Sequence, residues 1–364
     1  MQRKFPQLDS IRGLAILLVL FHNTDAFAGS PVLFLTSYGW MGVDLFFVLS
    51  GFLITGLLLD ADPHESYFKN FYARRCLRIW PLYYAVLFLM FGLMPLIRPA
   101  DAHIILERSS LWWAYPLFLQ NFLVRVPTLA AGPLGVTWSL AVEELFYVVW
   151  PFFVRYLAPA RLKHVAFLVI LFSPLLRYFL STQHVFVYSN PFCRLDGLMA
   201  GALLALLLRT ETFSPARYLN LAWTVLLLSA PLAYFSELRD TAWLIYSLSA
   251  LGSAALIYLA LFSRQGWLQS ALRNRFLAFT GVISYGLYLL HKIPYDFLKA
   301  THYDKHPFLS FLITLVASYL LAYASWNLLE KPFLKLKRYF GGQNSETHGP
   351  APVRVLPSPD AQLT

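Results

Sequence analysis

The chain has 364 residues, of which 58% are hydrophobic, 17% aromatic and only 13% charged. Soluble domains carry about 25% charged residues, so the composition excludes an ordinary soluble fold and points to one membrane domain, with apolar runs from end to end. The formal net charge of +10 is assigned to cytoplasmic loops rather than to nucleic acid, and the distribution of Lys and Arg supports that assignment below.

A spanning helix needs about 20 mostly apolar residues. Ten stretches qualify, at 8–27, 39–59, 77–97, 136–155, 165–181, 192–209, 219–236, 241–263, 276–291 and 308–329. The stretch WWAYPLFLQNFLV (112–124) is apolar but short and contains Pro116, so it is expected to be re-entrant or interfacial. The expected fold is therefore an all-α polytopic membrane protein of about ten transmembrane helices plus that short segment. The first run lacks a small-residue cleavage site and continues into His22 and Asp25, which argues against a removable signal peptide. Two cysteines, Cys76 and Cys193, without a CxxC or Cys/His cluster, imply neither a disulfide framework nor a metal site.

With the N-terminus inside, the inner segments hold 18 Lys and Arg residues and the outer segments 7. That bias predicts both termini in the cytoplasm. The membrane domain is expected over 1–332. Residues 333–364 are expected to form a tail, polar and proline-rich in GGQNSETHGPAPVRVLPSPDAQLT, a composition expected to stay disordered. No internal repeat is visible, which weighs against an inverted-repeat transporter.

Polar residues at membrane depth are expensive and tend to be functional. In the first helix, LDSIRGLAILLVLFHN (8–23), Arg12 sits near the expected cytoplasmic end. His22 follows ten residues later, about 15 Å along the axis. Histidine exchanges a proton near neutral pH and suits a general base; the competing reading is a buried histidine bonded between helices. Asp44, near the start of the second helix, has the chemistry to orient an imidazole, and Asp25, one turn from His22, competes for that role. Gly42, Gly51 and Gly56 read as packing glycines.

Arg74, Arg75 and Arg78 open the third helix in YARRCLRIWPLYY. Topology or lipid headgroups explain many such clusters, while a phosphate clamp is the more specific reading. In the fourth helix Glu143 and Glu144 are neighbours about 100° apart, so one is expected to face a cavity and the other a cation. At about 10 Å depth they are placed in one layer with His22 and Asp44. Arg194 and Asp196, entering the sixth helix, read either as a structural pair or as substrate contacts. His291 and Glu330 sit at helix ends, where hydrogen bonding or solvation is the default. Trp40, Trp80, Trp138 and Trp150 read as an interfacial belt.

In order along the chain, LDSIRGLAILLVLFHN, GWMGVDLFFVLSGFLI, FYARRCLRIWPLYY, TWSLAVEELFYVVWP, CRLDGLMAGALLA and ISYGLYLLH resemble the membrane acyltransferase-3 family of bacterial integral-membrane O-acyltransferases, over roughly residues 5–332. The resemblance implies ten core helices in the bacterial inner membrane. It also implies transfer of an acyl group, usually acetyl from acetyl-CoA, to a carbohydrate such as O-antigen, exopolysaccharide, a lipid-linked oligosaccharide or peptidoglycan. Carried over by position, Arg12 and His22 match the family's first-helix arginine–histidine pair. Arg74, Arg75 and Arg78 match its donor-binding arginines, and Glu143 with Glu144 its acidic pair. Many members carry an extracytoplasmic esterase-like domain after the core, whereas this sequence continues only into a short tail; the core is then expected to act alone or with a separate polysaccharide-biosynthesis partner. No metal is implied.

Two other classes compete. A transporter of a lipid-linked sugar or an ion would use the same histidine and carboxylates as a proton relay, but has no need of a polyphosphate clamp. A scaffold in a polysaccharide assembly complex would tolerate loss of His22.

Overall fold

In lipid, backbone polar groups must be satisfied within the segment, which favours helices. Every regular element among the described residues is helical. The computed structural model describes residues 6–23, 33–97, 111–123, 132–210, 213–238, 242–300 and 307–340. Asp25 lies outside them, as does the part of the expected tail after residue 340.

In chain order the main helices are α1 (Pro6–His22), α2 (Leu33–Tyr38), α3 (Met41–Leu59), α4 (Tyr67–Leu87), α5 (Thr137–Tyr156), α6 (Pro159–Thr182), α7 (Leu195–Leu207), α8 (Leu219–Leu238) and α9 (Ile245–Phe262). There follow α10 (Gly266–Leu272), α11 (Arg275–Val282), α12 (Ser284–Leu290), α13 (Lys292–Ala300) and α14 (Pro307–Ser325). The last continues through a π-helical turn (Trp326–Glu330) into α15 (Lys331–Lys335) and a closing turn (Leu336–Tyr339).

Six helical runs are long and apolar enough to cross a membrane, or seven if the pair Arg275–Val282 and Ser284–Lys299 is one span bent by 62°. The ten expected spans are thus not all recovered. The three left over are α1, with 17 residues, α7, with 13, and α5, which is 20 residues long but carries Glu143, Glu144 and Arg155. They are the helices that bring His22, Asp196 and the acidic pair; α1 and α7 fall short in length, and only α5 loses hydropathy to its glutamates.

Three boundaries differ from the sequence reading. α4 begins at Tyr67 rather than near 77, which puts Arg74, Arg75 and Arg78 inside the helix. Its first turns mix Lys, Asn and Arg with aromatic residues, a pattern that averages out of any hydropathy window. The stretch 276–291 is broken at Ile283, whose φ −94° and ψ 9° leave the helical region. Helical structure also runs past 332 to Tyr339.

α3 is the central helix. It packs against α1, α5, α7 and α9, and 67% of its span is buried, against 11% for the span at Pro215–Phe235. Close approach requires two of its glycines: a Cβ on Gly51 would fall 1.8 Å from the Leu198 carbonyl oxygen, and one on Gly42 2.3 Å from that of Ala15. Gly56 faces only the Arg209 side chain, at 3.2 Å, so it is not a backbone crossing point. The outer helices expose apolar side chains such as Leu168 and Leu175 on α6, Leu227 on α8 and Leu320 on α14, a surface suited to lipid.

Trp138 and Trp150 are buried rather than interfacial, and the Trp150 indole N–H donates to Thr55 Oγ1 at 2.8 Å. The stretch from 112 forms a short turn (Trp112–Ala114) and a four-residue helix (Gln120–Leu123). It is tied to α4 by the Tyr83 hydroxyl donating to the Tyr115 carbonyl at 2.7 Å, and to α5 by Asn121 Nδ2 donating to the Trp138 carbonyl at 2.7 Å.

Candidate active site

The early start of α4 decides the donor-side geometry. Arg75 sits eight residues into the helix, about 12 Å from its first turn, and shares a face with Arg78 at i, i+3. Arg74 is rotated about 100° away, and its Nε donates to the Phe340 carbonyl at 2.7 Å, tying α4 to the C-terminal turn. Arg75 Nε is buried without a hydrogen-bond partner among the described residues.

Arg75 lies within electrostatic reach of Arg12, Arg78, Glu143 and Tyr147. Lys337, on the C-terminal turn, lies within reach of Arg74, Arg75 and Arg78. Arg12 is balanced by Asp9, whose Oδ1 is 2.8 Å from its Nη1. Cations from α1, α4 and the C-terminal turn therefore converge, and Asp9, Glu143 and Glu144 offset their mutual repulsion only in part. Lys337 escaped the sequence reading because it falls in the segment assigned to the tail.

The acidic pair belongs to this same cluster. Glu143 accepts from Ser50 Oγ on α3 at 2.8 Å and from the Tyr147 hydroxyl at 3.0 Å. Glu144 Oε1 is buried without a partner among the described residues, and Glu143 and Arg75 are the charges that act on it. The depth count places the acids in a layer with His22 and Asp44, away from the arginines. The longer α4 carries Arg75 up to the glutamates instead. Tyr147, one turn after Glu143, has no charge to flag it in a sequence.

His22 ends α1, half-buried, with Nδ1 2.6 Å from the Thr36 carbonyl oxygen on α2. A carbonyl only accepts, so Nδ1 carries the proton and Nε2 presents its lone pair. A backbone carbonyl thus sets the tautomer, in place of the expected carboxylate.

Asp44 is committed elsewhere. Its Oδ1 takes a hydrogen bond from Arg194 Nη2, and both side chains are nearly sealed from solvent, at 3% and 1% exposure. The Arg194 guanidinium lies 3.9 Å from the Tyr246 ring centre, with Trp138 and Tyr188 each at 5.6 Å. Arg194 and Asp196 do not pair with each other. Asp196 Oδ2 accepts from Arg177 Nη2 at 2.8 Å and from Ser247 Oγ at 2.6 Å. Arg177, fully buried on α6, also donates through Nε to the Trp243 carbonyl at 2.7 Å. It was invisible in an apolar run with no acid near it in sequence. The two ion pairs join α3 to the entry of α7, and α7 to α6 and α9. Their burial under aromatic rings makes them positioning elements rather than surfaces open to a substrate.

Residues 5–327 match the family model described as "Acyltransferase domain". The chain is 28% identical over 368 residues to a Staphylococcus aureus (strain COL) protein provisionally named as an O-acetyltransferase, covering 92% of this chain and 58% of that protein. It is 29% identical over 367 residues to a Bacillus subtilis (strain 168) protein provisionally named as a peptidoglycan O-acetyltransferase, covering 91% of this chain and 55% of that one. To the peptidoglycan O-acetyltransferase of Listeria monocytogenes serovar 1/2a (strain ATCC BAA-679 / EGD-e) it is 28% identical over 382 residues, covering 93% and 58%. The match thus spans a little over half the length of each relative. No solved structure matches the chain. With its apolar helices and a family match over nearly its whole length, the chain belongs to the membrane acyltransferase family that its ordered motifs resemble.

Proposed function

We propose that the protein transfers an acyl group, acetyl in the first instance, from acyl-CoA to a hydroxyl of a cell-envelope or secreted carbohydrate. The observation that carries this reading is the convergence of Arg12, Arg75, Arg78 and Lys337, with the buried Arg75 Nε lacking a partner among the described residues. Such a set suits a ligand with several phosphates, which guanidinium groups bind through paired, charge-assisted hydrogen bonds. His22 follows Arg12 by ten residues on the same helix, about 15 Å, a separation that a thin pantetheine arm bridges.

In this mechanism the cations hold the nucleotide phosphates while the thioester reaches His22. Nε2 takes the proton from the acceptor hydroxyl as its oxygen attacks the thioester carbonyl. The carbon–sulfur bond breaks, CoA leaves as the thiolate, and the proton returns from His22 to sulfur. In the two-step version Nε2 itself attacks the thioester carbonyl and expels CoA as the thiolate, giving an acyl-histidine from which the acceptor hydroxyl takes the acyl group while its proton passes to the thiolate sulfur. The Thr36 carbonyl stabilises the imidazolium formed in the first version. Glu143, held by Ser50 and Tyr147, offsets part of the charge of Arg75. Asp44, Arg194 and Asp196 hold the helices around the acceptor side in register.

The names of the relatives support an envelope glycan, peptidoglycan among the candidates, as acceptor. The packing of α1, α5 and α7 on the central α3 supports counting them with the six or seven apolar spans, for nine or ten in all. The distribution of basic residues supports cytoplasmic termini in a bacterial cytoplasmic membrane.

The test is transfer from radiolabelled acetyl-CoA in membranes containing wild type, His22→Ala or Arg75→Ala at matched levels. Label in glycan for wild type, lost in His22→Ala and demanding more donor in Arg75→Ala, supports the reading. Wild type that neither binds acetyl-CoA nor transfers label with acceptor supplied overturns it and brings the proton-relay transporter forward.

A further inference from the structure

A pocket lies beside the His22 end of α1, where Leu20 and Asn23 face α13 and α14. His291, between α12 and α13, lines it and is 2% exposed. Its Nδ1 sits 2.9 Å from the Tyr288 carbonyl oxygen and 3.1 Å from that of Leu287. Carbonyls only accept, so the proton is on Nδ1 and Nε2 is a bare lone pair on the opposite edge of the ring. That Nε2 is buried with no partner among the described residues. Thr314, which lines the same pocket from α14, also has a buried side-chain oxygen without one.

Two buried polar groups in one small pocket carry a desolvation cost until a ligand meets them. His291 Nε2 needs a donor. Thr314 Oγ1 can both donate and accept. A single hydroxyl group has the chemistry for both, donating to the imidazole and accepting from the threonine. The space holds about one water-sized group, which admits a hydroxyl and excludes a carboxylate or phosphate. Tyr295 and Phe311 also line it, so part of its wall is aromatic and only the hydroxyl itself enters. His22 is the residue before Asn23 but points about 100° away around the helix, so this pocket neighbours the reacting histidine without overlapping it.

We propose that the pocket binds one non-reacting hydroxyl of the carbohydrate acceptor through His291 Nε2 and Thr314 Oγ1, and so positions an adjacent hydroxyl toward His22. The inference rests on the acyltransferase reading above, and nothing in that reading uses His291 or Thr314.

The test uses the full chain reconstituted in lipid vesicles, with radiolabelled acetyl-CoA and a soluble N-acetylglucosamine oligosaccharide as acceptor. His291→Asn keeps a donor for the helix carbonyls and removes Nε2, while Thr314→Val removes the hydroxyl at constant shape. Each is expected to raise the acceptor KM about tenfold or more, equivalent to ~1.4 kcal/mol, with acetyl-CoA affinity within about twofold. An acceptor KM unchanged in both variants, with or without a lowered unfolding temperature, marks a structural water site and overturns the proposal. Wild type that binds acetyl-CoA but leaves the oligosaccharide unlabelled overturns the assignment of the pocket to a hydroxyl of this carbohydrate. Wild type that does not bind acetyl-CoA at all overturns the acyltransferase reading itself.

Discussion

His22 Nδ1 lies 2.6 Å from the carbonyl oxygen of Thr36, so a backbone group on α2 holds the imidazole with Nε2 free. General-base catalysis contributes about 10²–10⁴-fold. His22→Ala is therefore expected to lower kcat by about that factor while acetyl-CoA binding, measured by calorimetry, stays near wild type. A loss of donor binding equal to the loss of rate would instead place His22 among the donor contacts.

The arginines of α4 are expected to separate by role. Hydrogen bonds to charged groups contribute about 1.5–3 kcal/mol, so Arg75→Ala is expected to weaken acetyl-CoA binding by about tenfold or more. Lys337→Ala, on the half-exposed C-terminal turn, weakens it less and makes the affinity less sensitive to salt. Arg74 is tied to the Phe340 carbonyl, so Arg74→Ala acts mainly by freeing the C-terminal turn, read as faster proteolysis in that turn. Equal losses of affinity in Arg74→Ala and Arg75→Ala would contradict this division.

Removing one partner of a buried ion pair leaves an uncompensated charge and costs about 3–5 kcal/mol. Asp44→Asn is expected to lower the unfolding temperature in detergent through the stranded Arg194, and Asp196→Asn through Arg177. Replacing Asp44 and Arg194 together by Leu and Met is expected to restore most of the Asp44→Asn loss. A double variant no more stable than Asp44→Asn would show that the ion pair, rather than the packing, sets the helix register.

Gly51→Val puts side-chain atoms where the Leu198 carbonyl already stands, 1.8 Å from an added Cβ. It is expected to separate α3 from α7 and to abolish the monodisperse peak in size-exclusion chromatography. Gly56→Ala meets only the flexible end of Arg209 and is expected to behave as wild type. Normal elution of Gly51→Val would mean that the crossing tolerates a wider spacing.

The sequence by itself determined the fold class, most of the apolar spans and the residue types that carry charge at depth, because hydropathy and charge add up along one segment. Arg12, His22, Glu143 and Glu144 are legible that way because each interrupts an apolar run, and Arg75 because it stands in a cluster of arginines. Their partners are not. Asp44 meets Arg194 across 150 residues of chain, Glu143 meets Ser50 across 93, and Lys337 joins the arginines from a segment whose composition suggested a tail. The start of α4 shows the same limit on a smaller scale. A ten-residue extension with little net hydropathy moved Arg75 from the edge of the bundle to the glutamates. The tertiary structure decided these pairings because they depend on how closely the helices cross and at what height, and those are set by glycines such as Gly51 and by buried pairs. No pattern within a single helix contains either.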